Sequence, residues 1–185
     1  MANRLFVISG PSGAGKGTLV KGLMSVREDL WLSVSATTRQ PRPGEIDGET
    51  YFFLSREEFD RCIEEGDFLE WADVHGNRYG TLRSAVEERL EAGLSVILEI
   101  DVQGALIVQR SYPEAVLIFV KPPSFEELRR RLIGRGTESE EQVELRMANA
   151  KVEMELEGCY NYSVTNDEVD IAVSELNSII DFEIG

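Results

Sequence analysis

The stretch that most restricts what this chain can become is Gly10-Pro11-Ser12-Gly13-Ala14-Gly15-Lys16-Gly17-Thr18. It stands between the apolar run Leu5-Phe6-Val7-Ile8 and a segment whose apolar residues recur at helical spacing. Glycines let the backbone curl so that several N–H groups point inward, and a helix beginning near Lys16 adds the positive end of its dipole to that nest. Lys16 supplies a mobile full charge for the outer phosphates of a polyphosphate. The preceding run does not alternate with polar residues, so it reads as a strand buried on both faces. Strand, glycine loop and helix in that order make a phosphate cradle rather than an ordinary glycine-rich turn. One residue departs from the strict pattern: Gly17 follows the lysine where Ser or Thr is usual, and the nearest hydroxyl lies one position later on Thr18.

A chain of 185 residues can bury one sizeable core with small inserted parts, and is too short for two large domains. With 19 basic and 34 acidic residues its formal net charge is -15, which argues against general attraction to nucleic acid or to an anionic membrane. No apolar stretch approaches a membrane span and the N-terminus lacks a secretory pattern, so a cytoplasmic protein is expected. Cys62 and Cys159 have neither metal-ligand spacing nor the density of a disulfide scaffold, and read as reduced thiols. Oligomeric state is not legible.

After the loop, Leu19, Val20, Leu23 and Met24 predict a helix that fades at Arg27-Glu28-Asp29. Trp31 to Ser35 reads as a short strand, and Thr37 to Gly44 as an exposed basic loop broken by Pro41 and Pro43. Tyr51 to Leu54 and Phe68 to Ala72 are strand-like, and a capping box from Ser55 to Glu58 opens a helix between them. Helices from Ser84 and Val102 then alternate with strands over Leu94 to Asp101 and Ala115 to Val120. Ser124 to Glu127 predicts another capping box, and Ser139 another helix start. The hairpin at 125–149 has too little apolar surface for a core and reads as a lid. A strand over Tyr162 to Thr165 and a terminal helix carrying Val169, Ala172, Leu176 and Ile180 complete the series. The expected fold class is α/β: a P-loop NTPase-type three-layer core with a parallel sheet (1–32, 84–124 and 150–185), a strand-rich insert (33–83) and a helical lid (125–149).

Four groups of residues can carry chemistry: the cradle, a basic loop with Arg39 and Arg42, the acids Glu70, Glu99 and Asp101, and the arginines of the lid. Asp101 ends a strand, where open parallel sheets place their ligands, and Glu70 sits among Phe68, Leu69 and Trp71. Two carboxylates on one purine suit guanine, which offers N–H donors at N1 and at its exocyclic amine, whereas adenine presents an acceptor at N1. Arg39, Arg42, Tyr51 and Tyr79 could hold a single phosphate, the arginines by bidentate contacts. That combination describes a nucleoside monophosphate site facing a triphosphate cradle. Transfer between them requires no general base, because a phosphate monoester is already largely dianionic at neutral pH. His75, the only histidine, reads as a turn or packing residue.

With the cradle, Ser35-Ala36-Thr37-Thr38-Arg39-Gln40-Pro41-Arg42-Pro43-Gly44-Glu45, Gly66 to Ala72, Gly76 to Thr81 and Leu98-Glu99-Ile100-Asp101-Val102-Gln103-Gly104 in order, the sequence closely resembles guanylate kinase over nearly its whole length. The resemblance implies phosphoryl transfer from ATP to GMP. It puts Ser35, Glu70, Thr81 and Asp101 on guanine and Arg39, Arg42, Tyr51 and Tyr79 on the GMP phosphate, making 33–83 the GMP-binding insert. Lys16 and the loop from Gly10 to Thr18 would hold the ATP phosphates, with Asn166 near the adenine. Lys16, Arg39, Arg131, Arg135 and Arg146 would be the catalytic cations. Mg2+ is the implied cofactor. With Gly17 after the lysine, it would be held mainly by ATP phosphates and water, near Thr18 or Glu99. Arg78 stands where the family often has a second tyrosine. Two other readings remain open on sequence alone: a domain that binds phosphorylated partners without catalysis, and a related kinase for another acceptor such as a ribose bisphosphate.

Overall fold

The computed structural model describes residues 3–74, 76–134 and 139–185. His75 and Arg135, both singled out above, lie outside the described residues. In chain order the first elements are β1 (Leu5–Ser9), α1 (Lys16–Met24), β2 (Leu30–Leu32), β3 (Ala36–Thr37), β4 (Phe52–Phe53) and α2 (Arg56–Glu65). They are followed by β5 (Phe68–Val74), β6 (Asn77–Leu82), α3 (Arg83–Glu91), β7 (Ser95–Glu99), α4 (Val102–Ser111) and β8 (Val116–Lys121). The last are α5 (Phe125–Gly134), α6 (Glu140–Met154), β9 (Tyr162–Thr165) and α7 (Val169–Ile184).

Five strands form the central sheet in the order β2-β7-β1-β8-β9, all pairings parallel. The unbroken apolar runs follow from burial on both faces. Phe6 and Ile8 of β1 pack with Leu19 and Leu23 of α1 and Leu176 and Ile180 of α7. Leu5 and Val7, pointing the other way, meet Val86 of α3 and Ala105 and Val108 of α4. Alternate side chains thus feed two cores, each buried Leu, Ile or Phe contributing about 1.5–3 kcal/mol. The connection after β1 runs to β2 at one edge of the sheet, while the one after β7 crosses β1 to β8, so the loop after β1 opens where the strand order reverses.

A second sheet, in the order β4-β3-β6-β5, stands beside the first around a small core of Ala36, Phe59 and Phe68. Its α2 helix is closed by the expected capping box, Ser55 with Glu58. The stretch expected to be an exposed loop from Thr37 begins differently: Thr37 is wholly buried in β3, where it pairs with Phe53 and Tyr79. A two-residue strand has no periodicity to detect; it exists because strands on both sides satisfy its backbone groups. Strand β6 was likewise hidden by Asn77, Arg78 and Gly80, residues of low strand preference.

The hairpin of α5 and α6 is less polar than its composition suggested. Leu128, Leu132, Val143, Met147 and Ala150 form a buried cluster of their own. Ser139 and Gln142 form a full capping box at the start of α6. At α5 the Ser124 hydroxyl accepts from the Glu127 N–H at 3.1 Å, while the Glu127 carboxylate turns to Arg130 and Arg131.

Candidate active site

The loop after β1 adopts the shape its glycines permit. Gly10 has φ 140°, and a Cβ there would lie 2.0 Å from the carbonyl oxygen of Val120 on the neighbouring strand. Gly15 caps α1 in the left-handed region at φ 90°, and a Cβ on it would meet the Asn166 amide at 2.3 Å. No side chain caps this helix and its first turn carries no acid, so no acidic side chain there offsets the positive end of its dipole, which suits an anion. Lys16 curls back over the loop, donating to the carbonyl of Gly10 at 2.6 Å.

Asn166, at the end of β9, is 3% exposed and donates through its side chain to the Ala14 carbonyl at 2.8 Å, so it braces the loop from within. Arg131 of α5 reaches the same place. It donates to the Asn166 carbonyl at 2.9 Å and to Glu127 at 2.7 Å, and the guanidinium bonds from Arg130 and Arg131 hold the Glu127 carboxyl down at about 2. Arg146, on α6, is half-buried.

A cavity of about 250 Å³ runs from this loop to the second sheet. Its walls include Gly10, Ser12 and Lys16 from the loop side, and Ser35, Tyr51, Glu70, Tyr79 and Asp101 from the other. Glu70 is 4% exposed and lies opposite Thr81 in the β5–β6 register, accepting its hydroxyl at 2.7 Å. Burial lifts the Glu70 carboxyl to about 7; the Thr81 hydroxyl opposes the rise and the Asp101 charge adds to it. A register shift between Phe68 and Glu70 explains why Phe68 and Trp71, three residues apart, both stack near Phe59 while Glu70 faces the cavity. Gly104 lets α4 come this close, since a Cβ there would sit 2.5 Å from Glu70 Oε2. Asp101 caps α4, accepting from the backbone N–H groups of Gln103 and Gly104 at 2.8 and 3.2 Å.

The residues proposed for the acceptor phosphate are only partly assembled. Tyr51 and Tyr79 meet edge to face with ring centroids 6.1 Å apart, and burial raises the Tyr51 hydroxyl pKa. Arg39 stands 5.3 Å from the Tyr51 ring but is held by Glu45 through two guanidinium bonds of 3.0 and 2.9 Å. Those bonds, with the Arg42 backbone N–H, lower the Glu45 carboxyl. The Arg42 side chain is exposed. Thr81 is wholly buried, its hydroxyl turned to Glu70.

The family model for guanylate kinase matches residues 2–183. The chain belongs to the guanylate kinase family. A guanylate kinase of Caldanaerobacter subterraneus subsp. tengcongensis is 57% identical over 95% of this chain and 85% of its own. One from Rubrobacter xylanophilus is 55% identical over 96% and 93%. The crystal structure of guanylate kinase from Anaplasma phagocytophilum superposes with a TM-score of 0.83 at 33% identity, covering 99% of this chain and 87% of that one.

Kinases of this family carry out phosphoryl transfer, which generally calls for a divalent metal ion, and the loop's fit to one is specific. Gly17 offers no hydroxyl, and a Cβ at that position would stand 3.3 Å from Glu99 Oε1. Glu99 closes β7 half-buried; burial raises its pKa and the Lys16 charge opposes the rise. Among the described residues no group of three His, Cys, Asp or Glu could hold a metal by itself. The donor set therefore fits an ion carried chiefly by phosphates and water, with Glu99 as a single carboxylate partner, as Mg2+ tolerates.

Of the charged wall residues, one was not read from the sequence. Glu153, in the last turn of α6, lines the cavity beside Ser12 and Lys16. No sequence signal marks it, because it belongs to an acidic helix in which Glu140, Glu141 and Glu144 are all solvated.

Proposed function

We propose that this kinase transfers the γ-phosphoryl group of ATP to GMP, or to dGMP, giving ADP and GDP. The observation that supports it is the single cavity lined jointly by the phosphate loop and by Glu70, Asp101, Ser35, Tyr51 and Tyr79. Guanine would lie against Glu70 and Asp101, whose carboxylates accept from its N1 and exocyclic N–H groups. Thr81 orients Glu70 rather than reaching the base itself. The acceptor phosphate would enter between Tyr51, Tyr79, Arg39 and Arg42, with Arg39 sharing its guanidinium between Glu45 and the phosphate.

The chain's part in the reaction is alignment and charge neutralisation. The acceptor phosphate is itself the nucleophile, and what opposes it is repulsion from the donor triphosphate. The loop amides and Lys16 hold the donor, while Arg131, Arg146 and, outside the described residues, Arg135 gather over the transferred group. Mg2+ would neutralise charge on the donor phosphates when bound. Asn166 acts by holding the loop, with any adenine contact made beside it. The insert and the α5–α6 lid would close on the two nucleotides and exclude water.

The free thiols Cys62 and Cys159, the net charge of -15 and the absence, among the described residues, of a helix able to cross a membrane accord with a cytoplasmic reaction. A coupled assay of ADP formation from ATP and Mg2+ with GMP, dGMP, AMP and UMP tests the reading. GMP should be strongly preferred over AMP. A site built on buried hydrogen bonds can reject the wrong base by about ten-thousandfold. Comparable turnover of AMP, or no ADP with any nucleotide, would overturn it.

A further inference from the structure

Glu153 occupies a place that local electrostatics does not favour. It lies in the last turn of α6, where the negative end of the helix dipole repels a carboxylate. Its Oε2 is buried with no hydrogen-bond partner. Burial raises its pKa, and what opposes the rise is the Lys16 charge and the backbone N–H of Ser12, both on the phosphate loop. Lys16 thus lies in the field of two half-buried acids, Glu99 from the sheet and Glu153 from the helix. An unfavourable placement of this kind marks a site under a constraint other than stability.

The constraint follows from helix geometry. Arg146 precedes Glu153 by seven residues on the same helix, which is two turns less about 20°, so the two side chains share a face and stand about 10 Å apart along the axis. One end of that face meets the loop at Ser12; the other presents a cation expected over the transferred phosphoryl group. The other helix of the hairpin also rests on the loop, since a Cβ on Gly13 would touch Leu128 and Leu132 of α5 at 2.9 and 3.0 Å. Of the α6 acids, Glu153 is the one that lines the cavity.

We propose that Glu153 is a positioning residue: by gripping the phosphate loop at Ser12 beside Lys16, it sets the register of α6 on the loop and so the place of Arg146 over the reacting phosphates. This rests on the phosphotransfer reading above and adds a residue to it. A displacement of about 1 Å far from the reacting atoms can cost about a hundredfold in rate, so one such contact can matter without touching substrate.

The test compares Glu153→Ala and Glu153→Gln in two backgrounds, wild type and Arg146→Ala, with circular dichroism to establish folding. Glu153→Ala should lower kcat about tenfold or more while the GMP Kd, measured without ATP, changes by less than about twofold. Glu153→Gln, nearly isosteric and still able to accept from Ser12, should recover part of the loss and keeps the test open if the alanine variant fails to fold. In the Arg146→Ala background Glu153→Ala should have little further effect, because residues that act as a unit are not additive. Unchanged kcat, an equal loss of GMP affinity, or losses that multiply in the double variant would each overturn the proposal. Wild-type protein that formed no ADP from ATP and GMP would instead overturn the phosphotransfer reading.

Discussion

The hydroxyl of Thr81 donates to Oε1 of Glu70 at 2.7 Å, and the two residues face each other across β5 and β6 with 0% and 4% of their surfaces exposed. One bond from a neutral donor does not offset the cost of burying a carboxylate, so the Glu70 carboxyl stays near 7, far above its usual 4.5. It is poised between two protonation states at working pH, and a base that offers N–H donors decides between them.

Guanine binding should therefore release a proton. Donors at N1 and the exocyclic amine favour the ionised carboxylate, so GMP affinity should rise from pH 6 to about pH 8 and level off above the Glu70 pKa. Calorimetry of GMP binding at pH 6.5 in buffers of different ionisation enthalpy measures the proton directly; no buffer dependence would mean that Glu70 is already charged. The empty protein should show the opposite trend. A carboxyl whose folded pKa is raised binds more protons folded than unfolded, so its contribution to stability falls as pH rises from about 4.5 to about 7. Glu70→Gln should remove that slope from thermal unfolding curves and weaken GMP far more than ATP.

Thr81→Val removes the one hydroxyl donor to Glu70 and leaves its shape nearly intact. The carboxyl should then stay neutral to higher pH, moving the midpoint of the GMP affinity profile upward. At pH 7 GMP should bind about tenfold more weakly, the loss expected when a charged group loses a hydrogen bond. The ATP KM should be unchanged; a parallel rise in both constants would show a general loss of structure.

Lys16→Ala should nearly abolish turnover, by about a hundredfold or more in kcat, the scale seen when one preorganised stabilising group is removed. GMP affinity in the absence of ATP should hold, because Glu70, Asp101 and the tyrosines stand on the far wall of the cavity. Single-turnover rates with a separate GMP titration check this. A loss of GMP affinity as large as the loss of rate would contradict the division of the cavity into donor and acceptor halves.

Gly10→Ala and Gly93→Ala separate close approach from conformation. Both residues have positive φ, 140° and 85°, but a Cβ at 93 meets nothing within 4 Å, whereas at 10 it would stand 2.0 Å from the Val120 carbonyl oxygen. The substitution at 93 should cost about 1–2 kcal/mol from backbone strain alone. At 10 the loop must part from β8, with a larger fall in Tm and a loss of ATP binding that Gly93→Ala does not share. Equal effects on Tm would mean that the loop yields easily.

The central sheet was legible because both its faces are buried, so β1, β7 and β8 appear as continuous apolar runs, and the loop after β1 announces itself through glycines that nothing else could replace. Residue chemistry also carried the proposal for the ligands, Glu70 and Asp101 for guanine and Lys16 with the loop for polyphosphate, and the structure brings these residues to one cavity. The second sheet was legible only in part: Tyr51 to Leu54 and Phe68 to Ala72 read as strands, but β3 has two residues and β6 carries a charge and a glycine, and these two are strands only by virtue of their neighbours.

By itself the sequence determined the α/β class and the phosphate loop and supplied the residue types on which the proposed guanine site rests, since these depend on local backbone freedom and on hydrogen-bonding chemistry carried by single side chains. Tertiary structure decided what those residues do in place. The β5 register shift turns Glu70 inward against Gly104, Thr81 becomes its orienting partner, and Arg39 is tied to Glu45. Asn166 and Arg131 brace the loop, and Glu153 is set apart from the solvated acids of α6 by its place beside Ser12. Each of these depends on contacts between elements far apart in the chain, where burial and the loss of water set the energy of a charge, and no local pattern of residues encodes them.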